Sequence, residues 1–403
     1  MTDFDVRLVA NAELRTAHDL FLGSLHVAPS SDQAWAIIQP ALEERRAFGA
    51  FVGDRMIGTA LSFGSSVGLP GGGALPMAAV TGVGVRADHT RRGVLTELMR
   101  TQLSAAAAAG EALAGLHASE AAIYGRFGYG VAVTSRTITV QAKRAELRRE
   151  VPRGGEVRLL DVDEALSLLP GIYERVRGRR PGMMTRPASW WRMSYERRLR
   201  DKDEHGIVAV HTGPDGEDGF VAYSPYERQT ASWTLDKTLR VRDLLGTPAA
   251  IADLWRYLLG VDLVEDVHAW LRPLDEPLEP MLVNQHCVRS ELDDDLWLRL
   301  VDVPAALAAR RYGQAEPVVL EVRDRVLPAN SGRYRISPLG IERTDGSADL
   351  AMDVDVLAML YLGGTRASAL AGIGRIEVAE PAALPRADTL FASDVTAWCG
   401  TMF

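Results

Sequence analysis

The sequence predicts an α/β protein of two successive units that passes into an α+β third unit. Three observations carry that reading. Short β-branched runs alternate with amphipathic helices over the first 140 residues. A second β-α-α start follows the charged stretch KRAELRREVPRGGE, residues 143–156, and repeats the first pattern weakly. From about residue 297 the alternation gives way to strands and helices in runs. The units are placed at 1–150, 151–293 and 294–403.

In the first unit VRLV (6–9) is a short strand, and Asn11 caps a helix with apolar Leu14, Ala17, Leu20, Phe21 and Leu25 on one face. A second helix spans roughly 32–46, and Gly53-Asp54 joins AFV to RMIGTALSF as a hairpin. LPGGGALP is a flexible crossing. Then come a strand ending at Val85, a helix at about 94–109, the strand ALAGLHA, a short helix near Glu120–Phe127 and the strand VAVTSRTITV. The second unit reads EVRLL, the helical DEALSLLPGIYERVRG and PASWWRMSYERRLR, then strands IVAVHT, DGFVAYS and ASWTLD. LRVRDLLGTP leads into the helix AAIADLWRYLLG, and DLVEDVHAWL follows. In the third unit the strands LWLRLVD, PVVLEVRDRV and GRYRIS mix with the helices VPAALAARRY, VDVLAMLYLG and ASALAGI, and the chain ends FASDVTAWCGTMF.

Composition bounds the function. A net charge of −8 over 403 residues leaves no electrostatic footprint for nucleic acid or an anionic membrane and suits cationic small molecules better. MTDFDVRLVA has no basic n-region before an apolar stretch, so no secretory leader is expected there. No run reaches the ~18 apolar residues of a membrane span. Cys287 and Cys399 are the only cysteines, which gives no disulfide framework and points to the cytoplasm. The eight histidines show no metal-ligand spacing, so no metal is expected.

Residues 83–95, VGVRADHTRRGVL, carry the densest chemical signal. A β-branched run enters a glycine turn that opens a helix, and Arg91 and Arg92 stand at the helix start. Cations there oppose the helix dipole unless an anion shares the site. Free N–H groups at the same place make a phosphate cradle. No Gly-Lys-Ser/Thr follows, so the turn is not a Walker loop, and no G-x-G-x-x-G follows the first strand. The second signal is LHASEAAIYGRFGYG, residues 116–130. A tyrosine just past a strand end, with a solution pKa of ~10 against ~8.5 for a thiol, suits a general acid for a departing thiolate. Tyr124 is the first candidate, and Tyr129 competes for the role.

The turn resembles the cofactor motif of the GNAT acyltransferases, V-x-V-x-P-x-x-R/Q-x-x-G-x-G/A. Here Ala87 stands for the proline, Thr90 for the Arg/Gln and Leu95 for the last small residue. With HASEAAIYGRFGYG, DLWLR, VPAALAARRY, LYLGGTRASAL and the FASDV…F end, the whole chain resembles the Eis (enhanced intracellular survival) family. The resemblance implies two fused GNAT-like domains followed by a sterol-carrier-like domain; Thr247-Pro248 stands where the first unit has Arg-Arg-Gly, so the second unit is expected to lack a cofactor loop. It implies an acetyl-CoA-dependent N-acetyltransferase, often a hexamer, that acetylates aminoglycosides at more than one amine and so bears on antibiotic resistance.

By the same resemblance, Val83, Gly84 and Val85 face the pantetheine arm. The loop amides of Arg91, Arg92, Gly93, Val94, Leu95 and Thr96 hold the pyrophosphate, and Ser119 and Glu120 are cofactor neighbours. Tyr124 is the general acid, and the α-carboxylate of Phe403 is the general base. Trp35 and His117 match substrate-pocket positions. Gly82 stands where relatives carry an aromatic residue, and Met402 stands where an acid precedes the terminal Phe. Those departures leave lysine peptides and polyamines as alternative acceptors. A lipid or sterol carrier with an inactive first domain is the alternative from a different class.

Overall fold

The computed structural model describes residues 3–178, 180–201, 204–229 and 235–403. Residues 231–234, the first four of the ASWTLD segment, therefore lie outside the described residues.

The first unit contributes strands β1 (Asp5–Leu8), β2 (Arg46–Val52), β3 (Arg55–Gly68), β4 (Ala74–Val85), β5 (Leu113–Leu116) and β6 (Gly130–Val131). Its helices are α1 (Leu14–Ser24), α2 (Asp32–Glu43), α3 (Val94–Ala108) and the single turn α4 (Ala121–Tyr124). Asn11 does not cap α1: Asn11–Glu13 form a 3-10 turn instead. The side chain of Glu13 accepts the Ala10 N–H at 2.9 Å and takes the capping role. The β2–β3 hairpin turns at Gly53, whose φ of 56° is open to glycine at little cost. In β3 the run Met56–Phe63 is buried on both faces, as a central strand covered by helices must be. The inner face of α3 buries Leu98, Met99, Leu103 and Ala106 against this sheet.

β4 and β5 are parallel, and they pair only from Met77–Ala79 to Leu113–Gly115. Beyond Ala79 the two strands part, and the opening between their C-terminal ends leads to the site. Ligand crevices form at such ends of parallel strands.

The units also exchange strands. Thr134–Gln141, read from sequence as part of the last strand of the first unit, pairs instead in a seven-stranded second sheet, between Val288–Asp294 and Val264–Arg272. In return Trp297–Leu300, read from sequence as the opening strand of the third unit, belongs to the first sheet and inserts between β5 and β6. The crossing is tied by Ala132 and Val133 N–H groups on the Leu296 carbonyl, at 3.0 and 3.2 Å. Period-two patterning marks a run as a strand without naming its partner, so sequence placed the strand and not its sheet.

The rest of the second sheet runs Leu235–Gly246, Gly216–Gln229, Ile207–Gly213 and Glu156–Leu159. Helix Pro248–Leu259 packs on it through fully buried Trp255, whose indole N–H donates to Glu276 at 2.8 Å. The third unit carries a five-stranded sheet, Gly340–Arg343, Gly332–Ser337, Val318–Arg323, Leu350–Asp353 and Glu377–Val378 in spatial order. Leu320, Tyr334, Met352, Leu357, Tyr361 and Phe391 fill the space between that sheet and its helices. The Tyr334 and Tyr361 hydroxyls donate to the Asn330 and Ala306 carbonyls, each at 2.7 Å. This interior is occupied by side chains. Arg299 and Asp324, both completely buried and 2.6 Å apart, fasten the exchanged strand to the third unit. Asn330 adds a 2.9 Å bond to the same carboxylate, which offsets part of the cost of burying the charges.

Candidate active site

The parting of β4 from β5 opens a cleft of about 800 Å³. Val83, Gly84 and Val85 form one wall, and Ser119, Glu120, Ile123 and Tyr124 form the other. Arg91, Gly93, Val94, Leu95 and Thr96 close one end. Arg91 is left-handed with φ 61°, and Gly93 with φ 85°. An arginine in that region costs roughly 1–2 kcal/mol, strain of the kind that clusters at ligand-binding turns. Left-handed residues in a turn aim successive N–H groups into one concavity, and the first-turn amides of α3 have no helical acceptor. Amide donors, a cation and the helix dipole thus converge on one place, which fits a diphosphate. Arg92 is exposed and does not face the cleft. Arg91→Ala should therefore weaken binding of a diphosphate-bearing ligand about tenfold, or ~1.4 kcal/mol, and Arg92→Ala should change it less than threefold. Equal effects of the two substitutions in a binding titration would refute this geometry.

Tyr124 ends α4 with its ring 6 % exposed, facing the cleft. Burial raises its hydroxyl pKa above the ordinary tyrosine value, so the group holds its proton at neutral pH. Tyr129 packs edge-on against it at 6.1 Å between ring centroids. The Tyr129 ring is fully buried, and its hydroxyl has no hydrogen-bond partner among the described residues. Of the two competitors, Tyr124 reaches the cleft and Tyr129 supports it from beneath.

The chain end approaches from the third unit. After the helix Ala383–Phe391, residues 397–401 run buried between the first two units. The Trp398 N–H donates to the Pro181 carbonyl at 2.9 Å, and its indole N–H donates to the Leu271 carbonyl at 2.6 Å. Arg186 is clamped between the rings of Tyr173 and Trp190, 4.0 and 4.2 Å from their centroids. It pairs with Asp243 through both terminal nitrogens, at 2.8 and 3.0 Å. The same guanidinium donates to the Thr401 hydroxyl at 3.0 Å and to the Gly400 carbonyl at 3.2 Å. The Trp190 indole N–H donates to the Met402 carbonyl at 2.9 Å. Phe403 then lies edge-on to His117, 4.8 Å away at the end of β5, and to Phe63 at 5.9 Å. The last residue is thus brought to the strand whose parting from β4 makes the cleft.

The corresponding helix start of the second unit is built differently. The Thr247 hydroxyl caps the Ala250 N–H at 3.2 Å and donates to Asp218 at 2.7 Å, and Pro248 has no N–H to offer. A carboxylate stands where an anion would bind, and Trp398 and Val395 of the terminal segment line that second opening.

Ten of the eleven expected cofactor residues line the cleft, with Arg92 outside it. Trp35 is not among its lining residues. It lies on α2 in an apolar cluster with Leu14, Ile38, Leu61 and Met193, with His18 5.6 Å from its ring. His117 sits at the terminus, its Nε2 2.7 Å from the Thr401 carbonyl. Gly82 has φ 59°, and a Cβ there would meet Leu61 at 2.9 Å, so an aromatic residue would need this backbone to change. Sequence reading missed Ser24, Leu25, His89, Thr90, Ile123 and Arg126 on the cleft. It also missed Arg186 and Asp295 at the terminus. His89, Thr90, Ile123, Arg126 and Asp295 stand inside strings already singled out and were open to selection; Ser24, Leu25 and Arg186 are joined to the site only by folding. Among the described residues, His117, Asp295 and Cys399 bring a nitrogen, an oxygen and a sulfur within 4.8 Å of one another. Asp295 and His117 are engaged with the tail backbone there, so the set is a hydrogen-bonded cluster.

Residues 5–132 and 182–300 each match an acetyltransferase (GNAT) domain family, and residues 303–400 match a sterol carrier protein domain family. The first match ends where the chain leaves the first sheet, and the second ends with the exchanged strand. An N-acetyltransferase of Streptomyces avermitilis, itself uncharacterized, is 36% identical over 98% of both chains. N-acetyltransferase Eis of Mycobacterium bovis is 35% identical over 92% of this chain and 91% of its own. The crystal structure of Eis1 from Mycobacterium abscessus is similar with a TM-score of 0.88 and 38% identity, covering 99% of this chain and 100% of that one. A GCN5-related N-acetyltransferase from Kribbella flavida gives 0.77 at 25% identity, covering 100% and 99%.

Proposed function

Since this chain belongs to the Eis family of GNAT N-acetyltransferases, we propose that it transfers acetyl from acetyl-CoA directly to a primary amine in the first unit's cleft. The neutral amine attacks the thioester carbonyl, the C–S bond breaks, and Tyr124 donates its proton to the departing thiolate. The Phe403 carboxylate accepts the proton that the amine loses. No cysteine or serine in the motif is paired with a base, which favours direct transfer over an acyl-enzyme. Holding thioester and amine together supplies much of the acceleration. The observation that carries this reading is the burial of the terminal segment, which ends with Phe403 against His117 beside the cleft.

The strand wall Val83–Val85 suits the pantetheine arm, and the turn Arg91–Thr96 suits the pyrophosphate. The second unit, with Asp218 on its helix cap, takes no cofactor. Aminoglycosides are the proposed acceptors, on the resemblance and on the net charge of −8. Met402 favours a second reading, because an uncharged residue beside the terminus attracts a polycation less; lysine peptides and polyamines are its acceptors. The packed interior of the third unit favours a structural role for it over lipid carriage. A cytoplasmic homo-oligomer, hexameric as the resemblance implies, is the working form, and no helix among the described residues is long and apolar enough to cross a membrane.

Counting acetyl groups by mass tests the acceptor. A multi-amine aminoglycoside should gain more than one acetyl group under saturating acetyl-CoA. Mass gain on lysine peptides alone would move the assignment to the second reading. No gain on any amine would end both.

A further inference from the structure

Where the first sheet, the second sheet and the terminal segment meet, one carboxylate is completely enclosed. Asp295 stands just before the exchanged strand, and its own N–H donates to the Val133 carbonyl at 2.9 Å. Its Oδ2 accepts the N–H groups of Cys399 at 3.3 Å and Gly400 at 3.1 Å. Its Oδ1 has no hydrogen-bond partner among the described residues and lies 3.8 Å from His117 Nδ1.

The other ring nitrogen fixes the proton count. His117 Nε2 is 2.7 Å from the Thr401 carbonyl, which can only accept, so Nε2 carries a hydrogen. In the neutral ring Nδ1 is then a bare acceptor facing a bare carboxylate oxygen. Two acceptors set 3.8 Å apart, one of them on a fully enclosed carboxylate, are unfavourable, and one proton carried by the pair removes the conflict. Burial, the largest effect on Asp295, lifts its carboxyl pKa; Asp294 pushes the same way, and His117 and the two tail N–H groups oppose. The Cys399 thiol is the remaining titratable group in the cluster.

We propose that the Asp295–His117 pair carries one proton and that this neutral pair is the brace that positions the terminal carboxylate, a role that rests on the reading of that carboxylate as the general base. Three consecutive backbone groups, the Cys399 and Gly400 N–H and the Thr401 carbonyl, end on the pair immediately before Met402 and Phe403. The His117 ring also packs against Phe403. Both residues act through the tail, so they are positioning residues.

The pair's proton makes a chemical distinction. Asparagine at 295 can offer its oxygen to the two tail N–H groups and its NH₂ to His117 Nδ1, as the protonated acid would. Alanine offers neither.

The test uses the full chain with Asp295→Ala, Asp295→Asn and His117→Ala, following hydrogen exchange of residues 397–403 beside steady-state kinetics. Both alanine variants should exchange the tail amides faster and lose about ten- to a hundredfold in kcat, with the KM for acetyl-CoA within about twofold. Asp295→Asn should keep slow exchange and stay within about fivefold of the parent kcat. Slow exchange in both alanine variants, or an asparagine variant as impaired as Asp295→Ala, overturns the brace. Fast exchange with unchanged kcat refutes the terminal carboxylate as base, and the positioning role with it. His117→Ala, at a partly exposed position, keeps the test decisive where Asp295→Ala does not fold.

Discussion

One glycine added after Phe403 should lower kcat at least about a hundredfold, the lower end of what a positioned general base contributes, while the KM for acetyl-CoA stays within about twofold. The addition converts the Phe403 carboxylate into an amide carbonyl and places the new carboxylate one residue farther on, a displacement of up to about 3.5 Å. Nothing upstream need move. Residues 397–401 are buried and bonded to Pro181, Arg186, Asp295 and Leu271. Stability and assembly should therefore be unchanged by calorimetry and size-exclusion chromatography. The turn proposed for acetyl-CoA lies between β4 and α3, away from the tail's anchors, so its KM should be insulated. An extended protein with parental kcat and intact assembly would remove the terminal carboxylate from the mechanism.

Tyr124→Phe should cost kcat about a hundred- to a thousandfold through loss of the acid that meets the thiolate. The edge-on contact with Tyr129 survives, since it is made by the ring, and no hydrogen bond of the fold ends on the Tyr124 hydroxyl among the described residues. The change in stability should then stay within about 1 kcal/mol. The pH dependence has a definite sign. Burial raises the hydroxyl pKa, so Tyr124 remains a proton donor through neutral pH and loses its proton only above the ordinary tyrosine value of 10.0. An alkaline limb of kcat due to Tyr124 must lie above that value and vanish in the variant. A limb near neutrality that Tyr124→Phe abolishes would contradict this assignment.

The proposed cofactor turn was legible as a structure because its elements are contiguous: strand, left-handed turn and helix start follow one another from Val83 to Thr96. Tyr124 was picked out as a candidate for the same reason, and that it, and not Tyr129, lines the cleft is a three-dimensional fact the sequence left open. The terminal assembly was legible only through the resemblance. Asp295 meets Gly400 across 105 positions, and Arg186 meets Thr401 across 215, with no local pattern to announce either pair. Asn11 misled because its side chain suits a cap, whereas Glu13 reaches back to the Ala10 N–H and outcompetes it. Trp35 packs partly buried against an apolar cluster on α2, apart from the cleft, a placement its sequence context alone did not define.

The exchanged strand bears on how such a chain is made and how it can be cut. β5 is buried along its whole length and needs Trp297–Leu300 beside it, so the first sheet cannot close until roughly three-quarters of the polypeptide has been synthesised. Contacts of that sequence separation slow folding and leave a hydrophobic strand edge waiting. A fragment ending at residue 132, where the first family match stops, would keep β1–β5 and the cofactor turn yet expose that edge for good. Dissection at the apparent domain border should therefore give an aggregating piece, whereas the intact chain buries the same edge with a strand of its own.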